Sequence, residues 1–495
     1  MRAPQEIKAT FDRAYNMTKA SKLGAIEQAR VCHEYALFAD AHLQALSKSP
    51  ELDRLRQNRE RAHSEFEHID TLSKSSKSKT PSAKTGESRR QDFIEDERAL
   101  QDLENELTVF AKTAMKMYAS SLVYSDEFDD SITRLCSMWL EHDDSEDVNR
   151  TFAGPVMMIP SHKFIFLGPQ LAARLYKPKV LTCFNSALNS LLLRMARDHP
   201  FHVLYQVITV AQGADGPQEK STSKSRRTSD INSTEGRVPA ASELLAILHS
   251  DKERPLAREA VGRMMVFTNA AVPWCRYEMD KKASTKADHV MTKGTPLLAL
   301  ANLRIPPPSM VPPVDLTKKY SHIATIHRYR SRFKVLGGLH RPKRMVCVDS
   351  LGQDHFELVG PTCLRVRVSL IKQFKGDDEL RQDAVMEQVF EMTNRILSRD
   401  RKTKARDLRF RRYTVIPLPN RSGVMEFVGD SMAIGEYLKP AHTKSVNSFP
   451  SWIITDKADI EQKWTIHRTT FENDWRSFNR RITLPPSSLN DTSSS

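Results

Sequence analysis

Five prolines within eight residues divide this chain into two regions with different hydrophobic periodicity. The cluster consists of Pro306, Pro307, Pro308, Pro312 and Pro313. Because proline fixes its backbone angle and has no N–H donor, such a cluster stops a helix and favours an extended chain. Before the cluster, apolar residues recur three or four positions apart, as in helices. After it, they fall in short runs typical of strands. The sequence therefore predicts two separate packing units, one helical and one mixed, joined near these prolines.

The part of the chain before the prolines is predicted to be a series of helices. Apolar residues share one helix face within residues 25–39, 100–117 and 183–195. Helix after helix joined by short linkers is typical of an α-solenoid, in which each helix pair buries its apolar face on the next pair.

Two polar segments interrupt this helical pattern. Thr71–Arg90 is rich in Ser and Lys, and Gly213–Arg237 is rich in Gly, Ser, Thr and Lys. Such composition leaves too little apolar surface to offset the entropy lost on ordering. Both segments are predicted to be disordered insertions.

Strand signals dominate after the prolines, with one strong helix among them. The predicted strands are Phe333–Leu336, Met345–Asp349, Tyr413–Leu418 and Val424–Val428. Leu380–Leu397 has apolar residues three or four apart and is predicted to be a helix.

A lysine and an acidic cluster precede this helix. In KGDDELRQDAVMEQVF, Lys375 is followed by Asp377, Asp378 and Glu379. Kinase folds hold nucleotide phosphates with such a lysine, which a carboxylate on a helix keeps in position. The residues alone also allow a second interpretation, in which the acidic turn complements the helix dipole and Lys375 is solvated.

Gly337 and Gly338 lie between two predicted strands. Glycine lets backbone N–H groups approach phosphate oxygens, so this pair is a candidate phosphate-binding turn. A plain hairpin turn is the simpler interpretation when the two residues are taken alone.

Composition limits the function classes only loosely. The formal net charge of +14 and pI of about 9.4 favour acidic partners such as nucleic acid or nucleotide, but 61 acidic residues share the surface. The six cysteines form neither CxxC pairs nor zinc spacings, so no metal site is predicted. Because no apolar run approaches the roughly 20 residues of a membrane span, we expect a soluble protein without a membrane partner.

Many short strings resemble the phosphatidylinositol-3-kinase-related protein kinases of the ATM/Tel type, over roughly residues 111–444. LRQDAVMEQVF (380–390) resembles the segment after the phosphate-binding lysine of that family. Other strings occur in the family's order; they are IPSHKF (159–164), QLAARL (170–175), RDHPFHVLY (197–205), ANLRIPPPSMVPPVD (301–315), LGGLHRPK (336–343), RYTVIPLPNRSGVMEFV (412–428) and IGEYL (434–438).

The resemblance implies a division into domains. Residues 1–300 would form a FAT-like α-helical solenoid. Residues 301–444 would form the small lobe of a kinase, with antiparallel strands and one main helix. Residues 445–495 are predicted to be an unrelated, disordered tail, so that the large lobe is missing.

The resemblance also implies a function. The family consists of serine/threonine kinases of the DNA-damage response and telomere maintenance, which phosphorylate Ser or Thr followed by Gln and use ATP with Mg²⁺. Implied partners are such protein substrates, a nuclease–ATPase complex that senses double-strand breaks, and, indirectly, chromatin or DNA ends. Family members are often homodimers, and the implied location is the nucleus.

The site residues are likewise assigned by resemblance. The phosphate loop would include Gly337, Gly338 and Lys343. Lys375 would contact the phosphates, with Asp378 and Asp383 as the nearby carboxylates. The hinge that binds adenine would be formed by Glu426, Phe427 and Val428, where the family usually has tryptophan in place of Phe427.

Two departures from the family put catalysis in doubt. Gly360–Phe374 separates the strand HFELV (355–359) from Lys375, which normally follows such a strand at once. The Asp-Arg-His and Asp-Phe-Gly strings of the large lobe are absent, so no catalytic residue or metal ligand is assigned. The chain is expected to be inactive as written. A non-catalytic scaffold or interaction fragment is the alternative, and direct nucleic-acid binding is a third interpretation without a supporting motif.

Overall fold

The computed structural model of the chain describes residues 4–20, 24–73, 83–178, 180–213, 234–277, 279, 283–336, 341–361, 380–419, 422–429 and 431. These residues fall into two units. Met1–Phe427 is one compact unit, and the second begins at Val428.

Helices make up the described chain up to residue 276, together with a 3₁₀ turn at Ser161–Leu167. They are α1 (Pro4–Ala20), α2 (Ala25–Ser47), α3 (Pro50–Ser73), α4 (Ala83–Tyr124), α5 (Ser131–Glu141), α6 (Glu146–Met158), α7 (Gly168–Ala173), α8 (Cys183–Asp198), α9 (Pro200–Ala211), α10 (Thr234–Ser250) and α11 (Pro255–Arg276). Small residues allow close approach of the backbones where α2 packs on α4. Ala36 and Ala39 of α2, and Ala111 and Ala114 of α4, are fully buried there.

The predicted disordered insertions overlap with helices in the structure. The first prediction, Thr71–Arg90, is wrong where α3 continues to Ser73 and α4 begins at Ala83. Lys, Glu, Arg and Ala are good helix formers, and adding residues to an existing helix costs little compared with nucleating one. The second prediction is wrong at residues 234–237, which open α10. The remaining residues of both segments, 74–82 and 214–233, lie outside the described residues.

An antiparallel sheet follows the helical region, with two further helices between its fifth and sixth strands. The strands and helices are β1 (Asp288–Val290), β2 (Ile326–Tyr329), β3 (Arg332–Val335), β4 (Lys343–Asp349), β5 (Asp354–Pro361), α12 (Leu380–Arg399), α13 (Arg401–Ala405), β6 (Val415–Leu418) and β7 (Ser422–Glu426). The spatial order is β1-β3-β4-β5-β7-β6, and β2 pairs with β4 beside β3. All these pairs are antiparallel. The predicted fold class, a helical region followed by antiparallel strands around one main helix, is confirmed.

The helices and the sheet share one hydrophobic core, which differs from the predicted separation at the prolines. The main cluster of buried apolar residues runs from Cys32 in α2 to Val424 in β7. Pro306, Pro307 and Pro308 are buried in it, and Ile305 accepts a hydrogen bond from the Ile326 amide at 2.8 Å. Because proline has no backbone donor, this segment can be buried without leaving an N–H group unsatisfied. The prolines therefore join the two regions rather than separate them.

Apolar residues of the described helices are too interrupted by polar ones for a bilayer. No helix in the described ranges is long and apolar enough to cross a membrane.

Candidate functional site

The predicted hinge lies at the end of β7, between β5 and β6. β7 pairs with β5 through Glu357 opposite Glu426 and Val359 opposite Val424. The first residue of α12, Leu380, lies directly on β7 at Gly423. A Cβ atom at position 423 would be 2.5 Å from the Leu380 side chain and 2.7 Å from the Ile416 carbonyl oxygen, so a larger residue would displace β6 as well as Leu380. The hinge strand and the start of α12 are thus held against each other.

Backbone hydrogen bonds fix two of the three predicted hinge residues. The Glu426 amide donates to the Thr414 carbonyl at 2.8 Å, and the Thr414 amide donates to the Glu426 carboxylate at 3.0 Å. The Phe427 amide donates to the Phe356 carbonyl of β5 at 2.8 Å. Val428 is half-buried and belongs to the second unit.

Arg344 of β4 lies over two aromatic rings at this end of the sheet. Its guanidinium carbon is 5.4 Å from the centre of the Phe356 ring and 5.1 Å from that of Phe427. Contacts of this kind are attractive because the ring face carries negative charge. They keep the Phe427 side chain of the predicted hinge beside β4 and β5, the middle strands of the sheet.

Carboxylates gather between α12 and the hinge strand. Glu387 of α12 is buried, and its Oε2 accepts a hydrogen bond from the Tyr413 amide at 3.1 Å. Its Oε1 has no hydrogen-bond partner among the described residues. Burial raises the pKa of Glu387, and the charges of Glu426 and Asp383 raise it further, whereas the Tyr413 amide and the charge of Arg412 lower it. Arg412 lies 4.0 Å from Glu387 and 2.7 Å from Glu391, so these carboxylates already have a cation beside them.

Lys343, predicted to be part of the phosphate loop, points into the protein in this structure. Its ammonium donates to the carbonyls of Tyr277 at 2.7 Å and Cys275 at 3.4 Å, at the end of α11. It also lies 5.4 Å from the centre of the Trp274 ring. Burial lowers the pKa of Lys343 to about 8. These contacts favour a structural role for this lysine, and its assignment to the nucleotide stays a prediction.

Of the other residues predicted to bind nucleotide, one lies within the described residues and four lie outside them. Asp383 lies in the first turn of α12, near Glu387 and Tyr413. Gly337, Gly338, Lys375 and Asp378 lie outside the described residues. Asp383 and Glu426 both act on the charge of Glu387, and their assignment to a nucleotide site, like that of the residues outside the described ranges, stays a prediction.

Sequence reasoning missed two buried acids, Glu357 of β5 and Glu387 of α12, which are 0% and 5% exposed. The signal for Glu357 was present in HFELV, where an acid occupies a position that alternates with outward-facing residues. Glu387 gave no such signal, because a single Glu is common in amphipathic helices.

The described residues contain no group of three or more His, Cys, Asp or Glu side chains placed to hold a metal ion. Asp383, Glu387 and Glu426 are the described carboxylates at the hinge.

A family model and several relatives match this chain. The model for phosphatidylinositol 3- and 4-kinase matches residues 371–490, a range that crosses the predicted boundary between residues 444 and 445. The serine/threonine-protein kinase TEL1 of Cryptococcus neoformans is 36% identical over 90% of this chain and 14% of its own length. The serine-protein kinase ATM of Sus scrofa is 32% identical over 69% of this chain and 11% of its own length.

Solved structures agree with these matches. The open conformation of CtTel1 has a TM-score of 0.70 at 25% identity, and covers 90% of this chain and 15% of that one. The FAT and kinase domain of CtTel1 has a TM-score of 0.70 at 24% identity, and covers 90% of this chain and 28% of that one. The chain thus spans about one seventh of its curated TEL1 relative, 14% of the length. By sequence and by fold, it belongs to the Tel1/ATM family of phosphatidylinositol-3-kinase-related protein kinases.

Proposed function

We propose that this chain comprises a FAT-like helical region and the nucleotide-binding small lobe of an ATP-dependent serine/threonine protein kinase. The observation that carries the proposal is the contact between the start of α12 and the hinge strand, where Leu380 lies on Gly423. This contact joins two of the strings, LRQD and GVMEFV, that resemble the family. The names of the relatives support the activity.

The residues have separate roles in this proposal. The backbone at Glu426–Val428 would bind the adenine edge, and Lys375 with Asp378 and Asp383 would hold the phosphates. ATP would supply the phosphoryl group, and Mg²⁺ would be bound with it through the phosphates. Arg344, through Phe427, would fix the shape of the hinge.

Turnover by this chain alone is proposed to be low. Positioning and charge stabilisation account for most catalysis of phosphoryl transfer. The sequence contains neither the Asp-Arg-His nor the Asp-Phe-Gly string that supplies these groups in the family. Binding of nucleotide without family-typical turnover is therefore the expected behaviour.

The wider biological role is proposed from the relatives. It comprises phosphorylation at Ser/Thr-Gln sites, a function in DNA repair and at telomeres, activation by a break-sensing nuclease–ATPase complex, and location in the nucleus. Two related structures are described as a complete CtTel1 dimer with C2 symmetry and a Tel1 kinase butterfly symmetric dimer. These descriptions support a homodimer for the parent protein of this chain.

A non-catalytic interaction fragment is the second candidate. It is favoured by the insertion of Gly360–Phe374 before Lys375 and by the inward position of Lys343. In this case the helices would provide contacts for partners while the lobe serves as a folded support.

Titration of the purified chain with a fluorescent ATP analogue distinguishes these functions. We expect binding that Lys375→Ala weakens at least tenfold, since an ammonium–phosphate contact is lost. Lys293→Ala, at an exposed lysine, is the matched control and should bind as the wild type does. A folded chain with no measurable affinity would favour the scaffold, and steeply salt-dependent DNA binding would favour the third interpretation.

An assay on a Ser-Gln peptide tests the expected lack of turnover. Phosphorylation that depends on Lys375 and reaches about 1 per second, the low end for kinases, would contradict it.

A further inference from the structure

Glu357 is a fully buried acid at the junction of the helical region and the sheet. It lies on β5 with 0% exposure. Its Oε1 accepts a hydrogen bond from the Ser309 hydroxyl at 3.1 Å, and its Oε2 accepts one from the Tyr329 hydroxyl at 2.9 Å. Ser309 follows the buried prolines, and Tyr329 ends β2. One carboxyl group therefore connects three segments that are distant in sequence.

The surroundings of Glu357 suit an uncharged acid. No described Lys, Arg or His forms an ion pair with it, while Tyr205 of α9 and Cys347 of β4 also face it. Opposite it on β7 is Glu426, whose carboxylate binds the Thr414 amide instead. A buried carboxylate with no cation is costly, and the protein avoids this cost by keeping the proton.

Three hydrogen-bond donors surround the acid: the backbone amide of Ser309, which can only donate, and the hydroxyl groups of Ser309 and Tyr329. Ser and Tyr can each donate or accept, so the neutral carboxyl can donate to one hydroxyl and accept from the other. Burial raises the pKa of Glu357 to about 7, although hydrogen bonds from Tyr329 and Ser309 lower it in part. Burial also raises the pKa of Tyr329, which stays protonated.

We propose that Glu357 is a positioning residue that fastens the proline segment, residues 305–309, to β2 and β5 while it carries a proton, and releases this segment when it ionises. β5 lies between β4 and the hinge strand β7. Because β5 pairs with β7, contacts that hold β5 in place also restrain the strand that leads into the hinge. The effect on nucleotide binding depends on the proposed function, whereas the effect on the proline segment does not.

The direction of the pH effect follows from the raised pKa. A group whose pKa is higher in the folded state stabilises that state fully below its unfolded value, which is 4.5 for this glutamate. The stabilisation is lost as the pH rises from there to about 7, the pKa in the folded state. The segment should therefore be held tightly in mild acid and loosely above neutral pH.

Amide exchange of the 495-residue chain tests this inference at Ser309 and Met310, which carry N–H groups beside the prolines. Glu357→Gln, which stays neutral at every pH, is the reference, so that the ratio of wild-type to variant rate removes the intrinsic pH dependence of exchange. We expect this ratio to rise roughly tenfold to a hundredfold between pH 5 and pH 8 and then to level off. A ratio that does not change with pH would overturn the proposal.

Two further variants test whether the hydroxyl contacts to Glu357 hold the proline segment, or whether a substitution at this place simply loosens the structure. Ser309→Ala and Tyr329→Phe each remove one hydroxyl and keep the ionisable Glu357. Both should raise exchange at residue 310 even at pH 5, and unchanged exchange in both would also overturn the proposal. Binding of the ATP analogue is then measured over the same pH range. If the wild type binds no nucleotide at any pH, the proposed function fails, and the exchange ratio still decides the role of Glu357.

Discussion

Two buried acids, Asp40 in the helical region and Glu357 in the sheet, are stabilised in opposite ways. Asp40 is 5% exposed and receives two hydrogen bonds from Arg134, at 2.6 and 2.8 Å, as well as one from Tyr118. Burial by itself would raise the pKa of Asp40, but the hydrogen bonds and charge of Arg134 hold it below its ordinary value. Glu357 receives hydrogen bonds from the hydroxyl groups of Ser309 and Tyr329 and from the Ser309 backbone amide, none of them a cation, and its pKa is raised by burial.

The difference shows two ways to balance a buried carboxyl group. Asp40 keeps its charge and is paired with a cation. Glu357 has no cation among the described residues and keeps the proton instead. The helical pair should therefore be insensitive to pH near neutrality, whereas the junction should respond to it.

The largest effect should follow from removing the cation. Arg134→Met leaves Asp40 buried and unpaired, and breaking a buried pair in this way costs about 3 kcal/mol or more. Urea unfolding followed by circular dichroism measures the loss in free energy of unfolding. Arg61→Met, at an exposed arginine, is the control and should stay within about 0.5 kcal/mol of the wild type. A loss below about 1 kcal/mol in Arg134→Met would mean that the pair is effectively solvated.

A smaller effect should follow from neutralising the acid itself. Asp40→Asn weakens the bonds from Arg134, and hydrogen bonds to charged groups contribute about 2 kcal/mol. Because the pKa of Asp40 is lowered in the folded state, the difference from the wild type should be full well above pH 3.8 and shrink as the pH falls further. Unfolding at pH 7 and at pH 3 measures it, and an equal difference at both would contradict the assigned charge.

Neutralising Glu357 should change stability little in acid and increase it in base. Glu357→Gln retains the shape of the neutral acid, so we expect a free energy of unfolding within about 1 kcal/mol of the wild type at pH 5.5. At pH 8 the variant should be the more stable protein, because the wild type then holds an unpaired charge. If Glu357→Gln is less stable at pH 8 by as much as Asp40→Asn is at pH 7, the contrast between the two acids is wrong.

The smallest effect should come from the sheet surface at the hinge. Arg344→Gln removes the cation over Phe356 and Phe427, which contributes about 0.5–1 kcal/mol where it is partly exposed. Thermal unfolding measures this. A loss above about 2 kcal/mol would show that Arg344 supports more than these two rings.

Local elements of this fold could be predicted because their signals are local. The helix predicted at Leu380–Leu397 is observed as Leu380–Arg399, and the strand predicted at Met345–Asp349 as Lys343–Asp349. Periodicity of three to four or of two residues is sufficient for such assignments.

The features that were not predicted depend on distant partners. The prolines alone predict a boundary between two packing units, because the strand that pairs with this segment, β2, comes later in the chain. The partners of Glu357 lie 48 and 28 residues before it. Likewise, Lys343 binds carbonyl groups that are 66 and 68 residues away. The short stretches of sequence from which helices and strands are predicted do not contain both members of such pairs.

Helix α4 is a long, continuous helix. At 42 residues the helix is about 60 Å long, and its last turns bring the Leu122 carbonyl to the ammonium of Lys163. Just beyond its end, Asp130 pairs with Arg399, the last residue of α12. A continuous helix is stiff along its axis, so a displacement near Ala83 would be carried over this whole length to the region of Lys163, whose ammonium also pairs with Asp126 and Asp129 beyond the end of α4.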